Sequence, residues 1–317
     1  VNGVAVLLKQ PESLGLERLT LQGAGDADVV VDVAYSGIST GTERLLYTGA
    51  MPPFPGMGYP LVPGYESVGR VVAAGPQAIR EPGEWVFVPG ARCFGDVRSL
   101  FGATASRLVV PSDRVVPVSE SLGEKAVLLA LAATAYHAVA GGGRRDPIIP
   151  PQLIIGHGVL GRLLARMTVA AGFEPPVVWE TQAERQDGAQ GYSVVRPEDD
   201  DRRDYRAVYD VSGDPRILDA AIARVAKGGE VVLAGFYSTP LSFQFAPAFM
   251  REAQIRTAAE WQRPDMLAVK ELAETGRLNL DGLITHEMRA QHAHDAYRTA
   301  FGDAGCLKMV LDWSSLQ

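Results

Sequence analysis

The feature that most restricts what this chain can fold into is a short apolar run, Leu153-Ile154-Ile155. It leads straight into Gly156-His157-Gly158-Val159-Leu160-Gly161 and then into an apolar-faced stretch closed by Gly172. Glycines at that spacing carry little alone, but between a strand and a helix each has its own task. Gly156 permits the tight turn, Gly158 lets the backbone approach a pyrophosphate, and Gly161 lets the helix pack on the strand. The helix start offers free N–H groups and the positive end of its dipole to the phosphates. The helix is predicted over 160–171 and the next strand over 176–179, and Glu180 ends that strand, 19 residues beyond Gly161. A carboxylate there accepts from both ribose hydroxyls of an adenosine and repels a 2′-phosphate, so NAD is expected over NADP. Arg185, the residue able to reach a phosphate, lies further along the loop.

The rest of this half repeats the pattern. Strands are predicted at 207–211 and 230–234, with a helix between them opened by Asp214 and Pro215 and stopped by Gly228 and Gly229. Strands alternating with helices imply a parallel sheet, whose ligands lie at the carboxyl edge. Asp210, Ser212 and Gly213 end one strand there, where a helix cap and a cofactor contact are equally good readings. Gly235 ends the next and is placed near the nicotinamide. His157 reads slightly better as a solvent-facing histidine than as a ligand contact. A stretch of mixed charge at 198–204 reads as a solvated loop.

The first hundred residues differ. Short β-branched runs at 29–35, 67–74 and 84–88, each framed by glycine or proline, predict a compact β domain. Residues 47–63 read as a long irregular loop, a kind of segment that is often functional. An alanine-rich run at 126–140 is shorter than the roughly 20 residues of a membrane span and reads as part of a buried helix over 123–139, stopped by Gly141, Gly142 and Gly143. A last helix is predicted at 264–276 and a last strand at 308–312. The expected division is a discontinuous β-rich domain, 1–120 with 265–317, and a nucleotide-binding domain, 121–264.

Composition narrows the function class. The 317 residues are 47% hydrophobic and 21% charged, with a formal net charge of −7. Acidity without a basic cluster argues against nucleic acid and for a soluble enzyme. Two distant cysteines, Cys93 and Cys306, point to a reducing, cytoplasmic setting. Val1 to Lys9 lacks the basic flank and apolar run of a signal peptide, so none is expected.

Ser36-Gly37-Ile38-Ser39-Thr40-Gly41-Thr42-Glu43, Gly64-Tyr65-Glu66-Ser67-Val68-Gly69-Arg70-Val71 and Pro82-Gly83-Glu84-Trp85-Val86 resemble active-site and turn segments of the medium-chain dehydrogenases. The resemblance covers nearly the whole chain. It implies a GroES-like domain built from both chain ends and a Rossmann domain inserted between them. It also exposes departures. Zinc members hold their metal with a cysteine, a histidine and a further cysteine or carboxylate. Here Ser39 and Tyr65 stand at the first two positions, Leu131 falls near the third, and only Glu66 persists. Zinc favours thiolate and imidazole, and Cys93 stands alone where a four-cysteine loop would be, so no metal is expected.

Four further stretches, 93–102, 156–162, 261–286 and 306–313, resemble one branch of that superfamily, the bacteriochlorophyllide a dehydrogenases. That resemblance implies NAD-dependent oxidation of a 3-(1-hydroxyethyl) group on a chlorin or bacteriochlorin to 3-acetyl, with a tetrapyrrole substrate. Ser39, Thr42, Glu43, Tyr65 and Glu66 are then the candidates for proton transfer and alkoxide stabilisation. His137 joins them for its suitable ordinary pKa of about 6.5, although a buried histidine satisfied by backbone is the better reading. Met51, Phe54, Met57 and Tyr59 are candidates for an apolar wall, or for simple packing of their loop. A homodimer is compatible with the resemblance, homodimers being common in that superfamily. Two other functions fit the same motifs: a zinc-free quinone or enoyl reductase, which Glu180 disfavours because such enzymes usually use NADPH, and a non-catalytic nucleotide-binding protein, which the polar cluster disfavours.

Overall fold

The computed structural model describes residues 2–141 and 149–316; Val1, Gly142 and Gly143, invoked above, lie outside these. The chain opens with β1 (Asn2–Gln10), β2 (Ser13–Thr20) and β3 (Asp28–Ile38), a short helix α1 (Thr42–Thr48), and β4 (Leu61–Pro63). It continues with β5 (Ser67–Ala74), β6 (Trp85–Val88), β7 (Arg98–Leu100), β8 (Arg107–Pro111) and β9 (Val116–Pro117). A 3₁₀ segment, Glu120–Leu128, precedes α2 (Leu129–Val139). Alternation then sets in: β10 (Leu153–Ile155), α3 (Val159–Ala170), β11 (Val177–Trp179), β12 (Ser193–Val195) and β13 (Tyr205–Asp210). There follow α4 (Leu218–Arg224), β14 (Val225–Leu233), α5 (Phe245–Arg251), β15 (Gln254–Thr257) and α6 (Arg263–Glu274). The chain closes with β16 (His286–Arg289), α7 (Ala293–Gly302) and β17 (Met309–Asp312).

These elements form two compact units, residues 1–130 with 283–317, and residues 131–282. Helix α6 therefore lies in the second unit, although the division drawn from sequence put most of it with the tail.

In the first unit, a four-stranded sheet runs β2-β1-β4-β7 and a seven-stranded sheet runs β16-β17-β3-β5-β6-β9, with β8 also on β3. One core of valine, leucine and alanine from β1, β3, β5, β6 and β8 takes in Tyr297, Cys306 and Trp313 from the closing segment. The antiparallel pairing of β17 on β3 sets Met309 opposite Ile38. That register carries Lys308 to the end of β3, where Ser39 begins the turn into α1.

In the second unit, six parallel strands run β12-β11-β10-β13-β14-β15. Apolar side chains of β10, β13, β14 and α4 form its core. The parallel order follows from the alternation of strand and helix, as expected.

Several local expectations are corrected. The helix predicted over 123–139 is α-helical only from Leu129; Gly123, at φ 51°, is non-helical and lies within the 3₁₀ segment that precedes α2. Asp214 and Pro215 start a turn instead of α4: the Asp214 carboxylate accepts the N–H and guanidinium of Arg216, and the helix begins at Leu218. Gly228 and Gly229 lie within β14, which starts at Val225 directly after α4. The helix predicted at 264–276 is followed by another, α7. The 47–63 loop is shorter than expected, bounded by α1 and β4. Within 198–204, Asp200 is buried, accepting from Trp179 Nε1 at 2.7 Å and Tyr205 Oη at 2.9 Å.

Candidate active site

Two clusters carry the candidate residues, one in each unit.

In the second unit, Gly156 turns the chain at φ +105°, and its N–H donates to the Trp179 carbonyl at 2.9 Å. A Cβ at Gly161 would stand 1.9 Å from the Gly156 carbonyl oxygen, so only glycine lets α3 start so close to β10. A Cβ at Gly158 would meet nothing within 4 Å. Gly158 is also the N-cap of α3 and gives no side-chain cap, which leaves the first-turn N–H groups to an outside acceptor. Val159 and Leu160 form the first turn behind it.

Glu180 is almost wholly buried at the end of β11. Its Oε2 accepts the His157 backbone N–H at 3.1 Å and its Oε1 the Gln182 N–H at 2.8 Å. The carboxylate is thereby fixed beside the glycine turn, with lone pairs left over for further donors.

His157 departs from its expected place in solvent, for its side chain is fully buried. Nδ1 lies 2.6 Å from the Arg185 carbonyl, which only accepts, so Nδ1 carries the proton. Nε2 then accepts from Tyr192 Oη at 2.8 Å. Burial lowers its pKa from 6.5 to about 4, so the ring is neutral at physiological pH. Arg162, also buried, donates to the carbonyls of His157, Arg185 and Asp187. The loop after β11 thus folds over His157, and the turn residue becomes its interior anchor.

Asp210 is fully buried and its carboxylate is engaged within the protein. Ser212 donates to Oδ1 through its N–H (3.0 Å) and Oγ (2.7 Å), and Tyr237 Oη donates to Oδ2. Burial raises this carboxyl above the ordinary range. The Asp210 carbonyl accepts the Gly235 N–H at 3.0 Å, which ties the ends of β13 and β14 together. Ser212 and Gly213, at φ +71°, form the outer lip. His137 belongs to this unit as well. Its Nδ1 lies 2.8 Å from Asp265 Oδ2, a carboxylate partner in place of the expected backbone one. Asp265 also caps α6 by accepting the Gln262 N–H at 2.7 Å.

In the first unit, Ser39, Thr42, Glu43, Tyr65 and Glu66 come together as a polar cluster. Tyr65 Oη donates to Ser39 Oγ at 2.7 Å, and Thr42 hydrogen-bonds the same phenol oxygen. Burial, reinforced by the Glu66 charge, pushes the phenol far above its ordinary pKa. Tyr65 is therefore a neutral donor. Glu43 has no exposed surface. Its Oε1 accepts the Ser39 N–H at 3.1 Å and its Oε2 the Tyr297 hydroxyl at 2.5 Å. Burial outweighs both bonds and raises the carboxyl from 4.5 to about 7. Lys308 Nζ lies 2.6 Å from Glu66 Oε2 and 3.3 Å from the Ile38 carbonyl; Glu66 Oε1 is buried with no hydrogen-bond partner.

Lys308 and Tyr297 were missed as site residues by sequence reasoning. Both reach the cluster from the closing segment, and a sheet pairing between chain ends leaves no local pattern. Met51, Phe54, Met57 and Tyr59 are half-buried on a small core of Leu8, Leu46, Leu61 and Leu100, and Tyr59 Oη donates to the Leu46 carbonyl at 2.5 Å. Their packing role is present. Among the described residues, no three His, Cys, Asp or Glu side chains converge as a metal set, and no helix is long and apolar enough to cross a membrane.

Residues 25–120 match the family described as "Alcohol dehydrogenase GroES-like domain". Over 314 residues the chain is 57% identical to the 2-desacetyl-2-hydroxyethyl bacteriochlorophyllide A dehydrogenase of Cereibacter sphaeroides, with 98% of each chain covered. It is 55% identical over 309 residues to the protein of the same name from Rhodobacter capsulatus, with 97% of each covered. In fold it is similar to the L-idonate 5-dehydrogenase of Escherichia coli, with a TM-score of 0.85 at 16% identity over 99% of both chains. The expected α/β class, a GroES-like domain with a Rossmann domain, holds.

Proposed function

The chain belongs to the 2-desacetyl-2-hydroxyethyl bacteriochlorophyllide A dehydrogenase family of the medium-chain dehydrogenases, and on that premise we propose that it oxidises the 1-hydroxyethyl side chain of a (bacterio)chlorophyllide to an acetyl group, with NAD⁺ as acceptor and without zinc. The observation that carries this reading is the 57% identity over 98% of both chains.

The residues fit a dinucleotide. The open side of Gly158, the uncapped start of α3 and the Glu180 carboxylate offer, in turn, room for a pyrophosphate, N–H donors and a ribose acceptor. NAD⁺, when bound, supplies a carbon that accepts the hydride. Ser212, Gly213 and Gly235 would border it, and Asp210 would hold their strand ends in place.

Oxidation of a secondary alcohol also needs the hydroxyl proton removed and the developing alkoxide stabilised. Ser39 and Tyr65 supply the hydroxyls for that oxygen, with Tyr65 as donor and Thr42 ordering it. Glu43, raised to about 7, is the carboxyl in this cluster poised to take up a proton near neutrality. The proton would pass by way of the Ser39 hydroxyl to Glu43, whose carboxyl is held beside that residue by the Ser39 backbone N–H. Glu66 is engaged by Lys308 and balances charge.

The donor set supports a reaction without zinc. Ser39 and Tyr65 bond each other and Glu66 bonds an ammonium, whereas zinc takes thiolate and imidazole. His137 is held by Asp265 and is the weakest of the catalytic candidates. The reading carries a cytoplasmic setting with it, which buried Cys93 and Cys306, not joined in a disulfide, support.

The test is incubation of purified protein with NAD⁺ and a 1-hydroxyethyl bacteriochlorophyllide. The nicotinamide band and the pigment's red band should change together, and a chelator should leave the rate intact. Turnover of quinones with NADPH, and none with the pigment, would overturn the reading.

A further inference from the structure

Two cavities of the first unit, of about 370 and 260 Å³, adjoin beside β7 and share Pro55, Arg92 and Ser99. Arg98 lines one and Arg114 the other. Among the described residues, none of these three guanidinium groups makes a salt bridge or side-chain hydrogen bond, while most other arginines of the chain are paired. Three arginines with uncommitted guanidinium groups therefore line the groove of these adjoining cavities, in a protein of net charge −7. The far wall is apolar, made of Phe54, Leu100 and Phe101.

Phe101 joins this groove to the reacting cluster. Its ring packs edge-on against Tyr65 with centroids 5.5 Å apart, and Tyr65 bonds Ser39. A ligand edge against Phe101 is thus one ring away from the hydroxyls assigned to the substrate oxygen.

We propose that this groove binds the free carboxylate of the substrate: Arg92, Arg98 and Arg114 hold the propionate arm of the tetrapyrrole while Phe54 and Phe101 flank the ring edge. The inference rests on the chlorophyllide reading above and deepens it. A chlorophyllide differs from the finished pigment in carrying a free acid where the pigment carries an ester. Guanidinium groups recognise a carboxylate through paired, charge-assisted hydrogen bonds, and an ester offers neither the charge nor the second equivalent oxygen. A groove of this kind discriminates the free acid from its ester.

Binding of the free-acid 1-hydroxyethyl pigment and of its methyl ester is measured from the pigment's own absorbance, alongside turnover. The wild type should bind the acid at least about tenfold more tightly than the ester, of the order expected for a charge-assisted contact. Arg92→Gln, Arg98→Gln and Arg114→Gln should each weaken acid binding and raise KM several-fold, leave ester binding unchanged and alter kcat little. All three positions are solvent-exposed, so the variants should fold, and an unchanged melting temperature checks this. Equal affinity for acid and ester, or acid binding unmoved in all three variants, overturns the assignment of the groove. Tight, arginine-dependent binding of the acid without turnover would uphold the groove and sink the proposed reaction.

Discussion

The Lys308 ammonium sits 2.6 Å from the Glu66 carboxylate, and neither side chain has more than 1% of its surface exposed. Removing one partner of such a pair leaves a buried charge uncompensated, which costs about 3–5 kcal/mol. Lys308→Met should therefore lower stability by that order in denaturant unfolding. Lys308→Met with Glu66→Gln should recover a large part of the loss, because the orphaned charge is gone. Additive losses in the double variant would show that the two side chains do not act as a pair.

Glu43 and His157 give stability opposite slopes with pH. The Glu43 carboxyl is raised from 4.5 to about 7 in the folded chain. Between those values the folded state holds a proton that the unfolded state has lost, so this group's contribution is full below 4.5 and is lost as pH rises to about 7. His157 is lowered from 6.5 to about 4. There the unfolded state holds the extra proton, so its contribution is full above 6.5 and is lost as pH falls to about 4. Each shift corresponds to about 3 kcal/mol. The two largely offset one another between pH 4.5 and 6.5. Glu43→Gln should unmask a stability that rises with pH across that window, and His157→Gln one that falls. Parallel pH profiles of wild type and both variants would show that neither group titrates as described.

Glu180 was legible before any coordinates because a single strand-turn-helix-strand unit fixes it. The spacing from Gly161 to the end of the next strand is set by the length of α3, a local quantity. Lys308 and Tyr297 had no such signal, since they lie 242 and 254 residues from Glu66 and Glu43 and arrive through the pairing of β17 with β3 and the packing of α7. His157 was misread because turn residues usually face water, and the loop that covers it is polar. The cue that went unused is Arg162 and Arg166 on an otherwise apolar helix: both are buried, and their guanidinium groups need carbonyls, which the loops around 185–187 and 279–281 provide. Gly123 and Asp214 misled for a simpler reason. Each is a residue that serves both in helix ends and in turns, and at Asp214 the local bonds to Ser212 and Arg216 hold the turn.

Glu180→Gln isolates the charge that should select the cofactor. Glutamine keeps one oxygen, which takes the His157 N–H and holds the glycine turn, while the Gln182 N–H loses its acceptor to the amide NH2. Loss of the negative charge should remove the repulsion of a 2′-phosphate, and the ratio of NADP to NAD dissociation constants should shrink at least about tenfold. A wild type that prefers NADP, or a ratio unmoved in the variant, would sink the role given to Glu180.

The cluster at Ser39 makes a separable prediction about chemistry. Tyr65→Phe removes the hydroxyl that donates to Ser39 Oγ, and its cost should fall on turnover, by about a hundredfold or more, with NAD affinity retained. Phenylalanine keeps the edge-on packing against Phe101, so the loss is chemical and the melting temperature should move little. Glu43→Gln should act differently. If Glu43 takes up the proton, kcat/KM of the wild type rises with pH through about 7 as the carboxyl ionises, and the variant is slow and loses that inflection. A merely structural Glu43 would lower the rate at every pH and leave the inflection in place. Retention of the inflection in Glu43→Gln, with near wild-type turnover in Tyr65→Phe, would move the proton-transfer group out of this cluster.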